Sequence, residues 1–216
     1  MLASCGRIDT DATKDGNCVS STPVDTIQAA AQLRFVDGCM TIDLITRPAT
    51  TADAPALVAL VNSAYRGDSS KAGWTTEADL LGGQRIDVEG LTETIARPGN
   101  VILLHERDQV PVACVHLERT GEDCYLGMLT IRPTTQGAGL GRQMLEAAER
   151  WATEHWSPRT MHMTVIVQRT ELIAWYERRG YRRTGERKPF PYGDERFGLP
   201  RRDDLAFEVL RKSLSQ

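Results

Sequence analysis

The hydrophobic period of this chain changes several times, and the changes mark out its elements. Residues 1–39 hold no sustained pattern: Asp, Thr, Ser and Gly dominate up to Pro23, and residues 24–33 suit one or two helical turns. Regular patterning begins just after Met40. Residues 42–47 suit a first strand. Thr50-Thr51-Ala52-Asp53 then offers an N-cap, and Pro55 suits the opening turn of a helix. Leu57, Leu60, Val61 and Ala64 recur at helical spacing and give that helix one buried face. A polar, turn-rich segment covers residues 66–73. Residues 76–81 predict a short helical stretch ended by Gly82-Gly83, and residues 87–95 another, closed by Arg97-Pro98-Gly99.

The period then shortens. Residues 101–106, 112–119 and 123–131 are rich in strand formers, and the breaks Arg107-Asp108-Gln109 and Thr120-Gly121-Glu122 are short enough for hairpins. This predicts an antiparallel three-strand meander. It leads through Arg132-Pro133 into a glycine-rich turn and a long helix over residues 140–156. A strand over 160–167, a helix over 169–179 stopped by Gly180, and closing strands over 181–184 and 205–210 follow, the last two around a Pro- and Gly-rich loop. The order predicts an α/β architecture with helices packed on a mixed sheet. The domain is expected over 40–216, preceded by a disordered or loosely structured extension over 1–39 for which a start at Met40 is an alternative.

Composition narrows the function classes. The chain has 216 residues, 41% hydrophobic and 25% charged, with a formal net charge of −3, as in a soluble globular protein. That balance gives no electrostatic reason to expect nucleic acid or an anionic membrane as partner. No apolar run reaches 18 residues, so no spanning helix is expected. Cys5, Cys18, Cys39, Cys114 and Cys124 are odd in number and form no C-x-x-C pair. His105, His116, His155 and His162 lack a metal-ligand spacing. A reduced, metal-free, cytoplasmic protein is the expectation. Leu2-Ala3-Ser4-Cys5 has the look of a lipoprotein cleavage site, but no charged start and apolar stretch fit before the fifth residue.

The most specific segment is Gln136-Gly137-Ala138-Gly139-Leu140-Gly141-Arg142, at the mouth of the long helix. A glycine-rich turn opening a helix lets several backbone N–H groups converge on a phosphate, because no Cβ blocks the approach. The helix N-terminus adds free donors and a positive dipole end. A Walker A loop needs G-K-[ST], whereas this loop ends Gly141-Arg142-Gln143. A dinucleotide fingerprint meets Arg142 where its last glycine belongs, and it expects a parallel β-α-β unit.

This loop resembles the cofactor motif Q/R-x-x-G-x-G/A of the GCN5-related N-acetyltransferases (GNAT). A second segment, Ala174-Trp175-Tyr176-Glu177-Arg178-Arg179-Gly180-Tyr181, resembles another signature of that family, and the order of elements agrees over roughly residues 42–210. The resemblance implies the acyl-CoA N-acyltransferase fold, a mixed, mostly antiparallel sheet flanked by helices with its central strands splayed. It implies acetyl-CoA as co-substrate and no metal. Leu129, Thr130 and Ile131 would bond the pantetheine arm, and Gln136, Gly137, Ala138, Gly139, Leu140, Gly141 and Arg142 would cradle the pyrophosphate. The Leu129 N–H would stabilise the oxyanion, and Tyr176 would hydrogen-bond the departing thiolate. Full proton transfer from a phenol to a thiolate is uphill by about 2 kcal/mol, so late or partial transfer is the better description. One departure stands out. Many members carry an asparagine seven residues before this tyrosine, where this chain has Arg169.

The implied reaction acetylates a primary amine by direct attack on the thioester. At pH 7 only about 1 in 2,500 lysine-like amines is neutral, so a base or a desolvating site is needed. Glu118, Glu122 and His116 are the candidate bases. Asn62, Tyr65, Trp74, Glu77 and Arg85 fall in the region expected to meet the acceptor, with Trp74 and Glu77 suited to hold a cationic amine. Residues 178–202 hold nine Lys/Arg against three Asp/Glu. Such a run is usually solvated surface; if it converges, it suits a carboxylate or phosphate. A small zwitterionic amine is the expected acceptor, with peptide or protein amines, or a non-catalytic acyl-CoA-binding role, as alternatives. Phe190, Tyr192 and Phe197 suit either a homodimer contact or a lid on their own domain.

Overall fold

A computed structural model describes residues 34–36, 39–41 and 44–214. The expectations for residues 1–33, including the lipoprotein-like start, lie outside them. β1 (Arg34–Val36) and β2 (Cys39–Thr41) form a two-stranded antiparallel sheet of their own.

The domain then runs as β3 (Ile45–Pro48), a 3-10 turn (Thr51–Asp53), α1 (Ala54–Tyr65), α2 (Gly67–Ser70), β4 (Leu81–Gly82) and α3 (Val88–Ala96). The meander follows as β5 (Asn100–Arg107), β6 (Val110–Thr120) and β7 (Asp123–Ile131). After it come α4 (Leu140–Trp156), β8 (Thr160–Ile166), α5 (Thr170–Glu177), β9 (Arg182–Pro189), β10 (Leu199–Pro200) and β11 (Ala206–Ser213). Seven strands form the main sheet in the order β3-β5-β6-β7-β8-β11-β9. Every neighbouring pair is antiparallel except β7 and β8.

Helices cover both faces, and strand alternation assigns each side chain to one of them. Ile102, Leu104 and Cys114 pack with Leu57, Leu60 and Val61 of α1 and Leu91 of α3. The intervening Leu103, Ala113, Val115 and Leu117 pack instead with Met144, Leu145 and Ala148 of α4 and with Ile173 and Tyr176 of α5. Both faces of β5 and β6 are thereby buried, which explains why their sequences read as near-continuous apolar runs. The tight hairpin between them puts Asp108 and Gln109 at φ 53 and 62, the two left-handed positions that a primed turn requires.

Two expectations need correction. Residues 76–81 form no helix: one turn closed by the Leu80 and Leu81 N–H groups on the Glu77 carbonyl leads into β4, which pairs with β10. The short helix lies earlier, at α2, inside the stretch read as turn-rich. The closing strand expected at 181–184 continues to Pro189. β9 is an edge strand, exposed along its whole length, and its Arg182, Arg183, Arg187 and Lys188 discourage pairing with another chain.

The entry to α1 is fixed by charge. Thr50 and Asp53 form a capping box, and the Asp53 carboxylate also takes two bonds from Arg47, at 2.9 and 2.8 Å. These bonds from Arg47 hold the Asp53 pKa down at about 2, against an ordinary 3.8. A carboxylate with a depressed folded pKa stabilises fully above its unfolded pKa, and the benefit is lost as pH falls through the folded one. Asp53→Ala is therefore expected to lower stability by about 1–2 kcal/mol at pH 7. The difference from the parent should shrink between pH 4 and pH 2. Urea unfolding at pH 7 and at pH 3.5 checks this, and an equal difference at both pH values would contradict it.

Candidate active site

The parallel pair is where the sheet opens. β7 and β8 are in register at Cys124↔Met161 and Tyr125↔His162 only, and residues 126–131 face residues 163–166 across a gap. On its other side β7 stays paired to β6, with a bulge: His116 opposes Gly127 and Cys114 opposes Thr130, so Met128 and Leu129 share one partner residue. Met128 sits at φ 51, a left-handed value carried by a non-glycine residue at the point where the strand bends. Three adjoining cavities follow from this opening. The first, of about 130 Å³, lies between the strands under Tyr65, Phe190 and Phe197. The second, about 70 Å³, shares Tyr65, Leu129, Arg169, Leu172 and Tyr176 with it. The third shares Ile131, Gln136, Gly141 and Trp175 with the second and ends at the glycine-rich loop.

At that loop the backbone is bare. Gly137 and Gly139 take φ 87 and 81, and a Cβ on either would meet nothing within 4 Å. Gly139 caps α4 in a left-handed conformation, so the free amides of the first helical turn open onto the third cavity. Gly141 is closed in, with Trp175 Cζ2 3.3 Å from its Cβ position. Arg142, Arg178 and Arg179 line the groove, and the Arg179 guanidinium lies 3.5 Å from the Trp175 ring centroid. A bare, left-handed turn backed by cations fits a pyrophosphate. Ala138 is exposed and Leu140 buried. The Gln136 side chain is committed within the protein: it accepts from the Trp74 N–H at 2.9 Å and donates to the Ile131 carbonyl at 3.2 Å.

Tyr176 stands at the junction of the first two cavities, 5% exposed and edge-on to Trp175 and Tyr181. Burial, reinforced by Tyr65, raises its pKa above the ordinary phenol value, so the proton stays on at neutral pH. Tyr65, at the end of α1, donates its hydroxyl to the Leu129 carbonyl at 2.9 Å and so joins α1 to the bulged strand. Burial and the nearby Glu77 charge push its pKa up to about 12. Thr130 is buried, with its hydroxyl on the Met128 carbonyl.

The Glu77 carboxylate does not stand beside the Trp74 ring to hold a cation. It is buried, 2.6 Å from Arg66 Nη1 through one oxygen and 2.7 Å from Arg169 Nη1 through the other. Arg169 also donates to the Thr75 hydroxyl at 2.8 Å. The residue that replaces the family's asparagine thus pins the β8–α5 connection to residues 75–77. Burial pushes the Glu77 pKa up, but the fields of Arg169, Arg85 and Arg66 and the bond from Arg66 outweigh it and leave it below 4.5.

The candidate bases lie elsewhere. His116 Nε2 is 2.7 Å from the Asn100 Oδ1, and burial lowers its pKa to about 4. Glu118 faces Tyr125 across the ladder, and Glu122 pairs with Arg159 at the surface. None of the three lines the cavities described above. Among the described residues, the basic run at 178–202 contributes no charge to the first cavity either, whose charged lining comes from residues 66, 77, 85 and 169. Arg66, Tyr125, Thr164 and Phe207 join that lining with no local sequence signal, because their partners are distant in the chain. Phe190 and Phe207 pack with their rings tilted by 31° and centroids 5.6 Å apart, in the cavity wall of their own domain.

The family model described as the acetyltransferase (GNAT) family matches residues 60–181, more than half of the chain. Comparison with curated proteins gives no match. Among solved structures the chain is similar to yncA of Salmonella typhimurium with its cofactor acetyl-CoA, at TM-score 0.60 and 19% identity over 81% of this chain and 95% of that one. It is similar to the paia N-acetyltransferase of Thermoplasma acidophilum in complex with coenzyme A, at 0.58 and 15% over 79% and 99%. It is also similar to the ribosomal-protein-alanine N-acetyltransferase of Brucella melitensis, at 0.59 and 21% over 79% and 99%. At these identities the likeness is one of fold. Among the described residues no helix is long and apolar enough to cross a membrane, and no cluster of three or more His, Cys, Asp or Glu is placed to hold a metal.

Removing one member of a buried ion cluster leaves the others without countercharge. Glu77→Gln keeps the shape but strands Arg66 and Arg169, and is expected to lower stability by about 3–5 kcal/mol in urea unfolding at pH 7. A loss under about 1 kcal/mol would show that the two arginines do not depend on this carboxylate.

Proposed function

The chain belongs to the GNAT acetyltransferase family, and from that premise we propose that it acetylates the primary amine of a small molecule by direct attack on acetyl-CoA. The observation that carries the proposal is the continuous track from the bare glycine turn, past Tyr176, into the cavity between the splayed strands. Acetyl-CoA supplies an acetyl group activated as a thioester.

The chain's own residues divide the remaining work. The amides of Gly137 and Gly139, the start of α4 and the cations Arg142, Arg178 and Arg179 suit the pyrophosphate. The edge of β7 at Leu129, Thr130 and Ile131, which has no β8 partner, suits the amide-rich arm; the Leu129 and Ile131 carbonyls already accept from Tyr65 and Gln136, so a ligand there adds to bonds the protein makes itself. The Leu129 N–H, on the bulge, is assigned to the carbonyl oxygen as negative charge develops there. Tyr176, kept protonated by burial, is assigned to the thiolate.

Among the described residues the first cavity contains one carboxylate, Glu77, already bound by two arginines, and no histidine. A dedicated base is therefore absent from this reading. The positive lining and the apolar walls both disfavour an ammonium ion and lower the acceptor's pKa on binding, which supplies the neutral amine by desolvation and repulsion. The likeness to an enzyme named for a ribosomal protein's alanine keeps a peptide N-terminus as a second acceptor class to be tested.

Thiol release from acetyl-CoA with a panel of amino acids, polyamines, aminoglycosides and an N-terminal peptide tests the reading. Tyr176→Phe is expected to lower kcat by about 10²-fold or more with acetyl-CoA affinity changed less than about threefold. The rate should rise with pH as the acceptor loses its proton, with no alkaline fall from Tyr176 below about pH 10, because its pKa is raised. Tight acetyl-CoA binding with no release by any amine would support the non-catalytic binding module instead, and an unchanged rate in Tyr176→Phe would remove the role given to that residue.

A further inference from the structure

We propose that the acceptor carries a carboxylate beside its amine, as an amino acid does, and that Arg85 is the side chain that binds it. This rests on the acetyltransferase reading, and takes the first cavity as the acceptor's place.

Among the described residues, three arginines and one carboxylate line that cavity, Arg66, Arg85 and Arg169 against Glu77, so its walls hold two positive charges in excess. Two of the arginines are occupied. Arg66 donates to Glu77, to the Tyr65 carbonyl at 3.2 Å and to the Phe197 carbonyl at 3.4 Å. Arg169 donates to Glu77 and Thr75. Both Glu77 oxygens are used in turn, leaving no carboxylate in the cavity for the third arginine. Arg85 is different. Its guanidinium makes no hydrogen bond or ion pair among the described residues and rests over the Tyr65 ring, 5.6 Å from the centroid.

The position of Arg85 is nevertheless fixed. Asn62 of α1 accepts from the Arg85 backbone N–H at 2.7 Å and donates to the Ile86 carbonyl at 2.9 Å, which clamps the loop to the helix. The residue is half-buried, and its side chain lines the cavity where a ligand would meet it. A clamped arginine with a free planar fork matches a carboxylate in two parallel bonds, whereas an ammonium there meets only repulsion. The Tyr65 ring under Arg85 ends in the hydroxyl that bonds Leu129, so a carboxylate on Arg85 lies one tyrosine away from the strand position assigned to the reacting carbonyl. That spacing suits an amine and a carboxylate on one small molecule. Phe190, Phe197 and Phe207 form an apolar wall for its remaining atoms.

The test compares matched acceptors, amino acids against their amides, in the parent and in Arg85→Gln and Arg85→Lys, by thiol release and by calorimetry on the coenzyme A complex. In the parent, kcat/KM for the acid should exceed that for the amide by about ten- to a hundredfold. Arg85→Gln should bring that ratio to near one through the KM of the acid, Arg85→Lys should restore part of it, and acetyl-CoA affinity should stay the same in all three. An amide used as well as its acid, or acid and amide weakened equally by Arg85→Gln, overturns the proposal even if acetylation proceeds. If no acceptor in the panel is turned over, calorimetry decides: preferential, Arg85-dependent binding of the acid supports it, and equal or absent binding overturns it. Failure to bind acetyl-CoA, by contrast, overturns the enzymatic reading itself.

Discussion

β7 and β8 run parallel, share two register positions, and then separate, and most of the molecule is arranged around that separation. Parallel neighbours need a long crossover, which α4 supplies, packed by Met144, Leu145 and Ala148 against the sheet. The same helix starts at the glycine turn beside the open end of the gap, so one element both connects the strands and presents its free amides to the cleft. The bulge at Met128 and Leu129 adds the bend on the other strand. Without the splay there would be a closed ladder and no room between Leu129 and Tyr176.

An open gap needs something to hold its rim, and here charge does so. Arg66 follows α1, Glu77 lies before β4, and Arg169 begins α5; two short ion pairs join these three segments across the first cavity. Buried ion clusters are seldom strongly stabilising compared with apolar packing, because desolvation offsets most of the attraction. Their value here is positional. They fix the wall around the cavity and leave it with an excess of positive charge, although the whole chain has a formal net charge of −3. The late loop adds to the same rim: β10 pairs with β4, and the Arg201 N–H bonds the Leu80 carbonyl at 2.9 Å. Gly198 at φ 98 lets this loop approach closely, since a Cβ there would lie 2.9 Å from the Gly82 carbonyl oxygen.

The sequence by itself determined what depends on near neighbours. The meander, the α4 boundaries, the Thr50–Asp53 cap and the glycine turn were all legible, because period, capping and positive-φ glycines are local constraints. The motif at 136–142 carried the phosphate-cradle reading for the same reason. Local reading failed at residues 76–81, where a two-residue pairing with β10, more than a hundred positions away, turned an expected helix into a turn and strand. The charge around the acceptor cavity lay equally out of reach. Glu77 bonds Arg66 at a separation of 11 and Arg169 at 92, distances that no helical or strand period connects. Only the tertiary structure decided which of many arginines face inward: Arg182, Arg183 and Arg187 lie on the edge strand and Arg178 and Arg179 in the groove by the glycine loop, while Arg66, Arg85 and Arg169 meet in the cavity. Charge identity is written in the sequence, but the field at a site depends on which charges the fold brings within a few ångströms and shields from water.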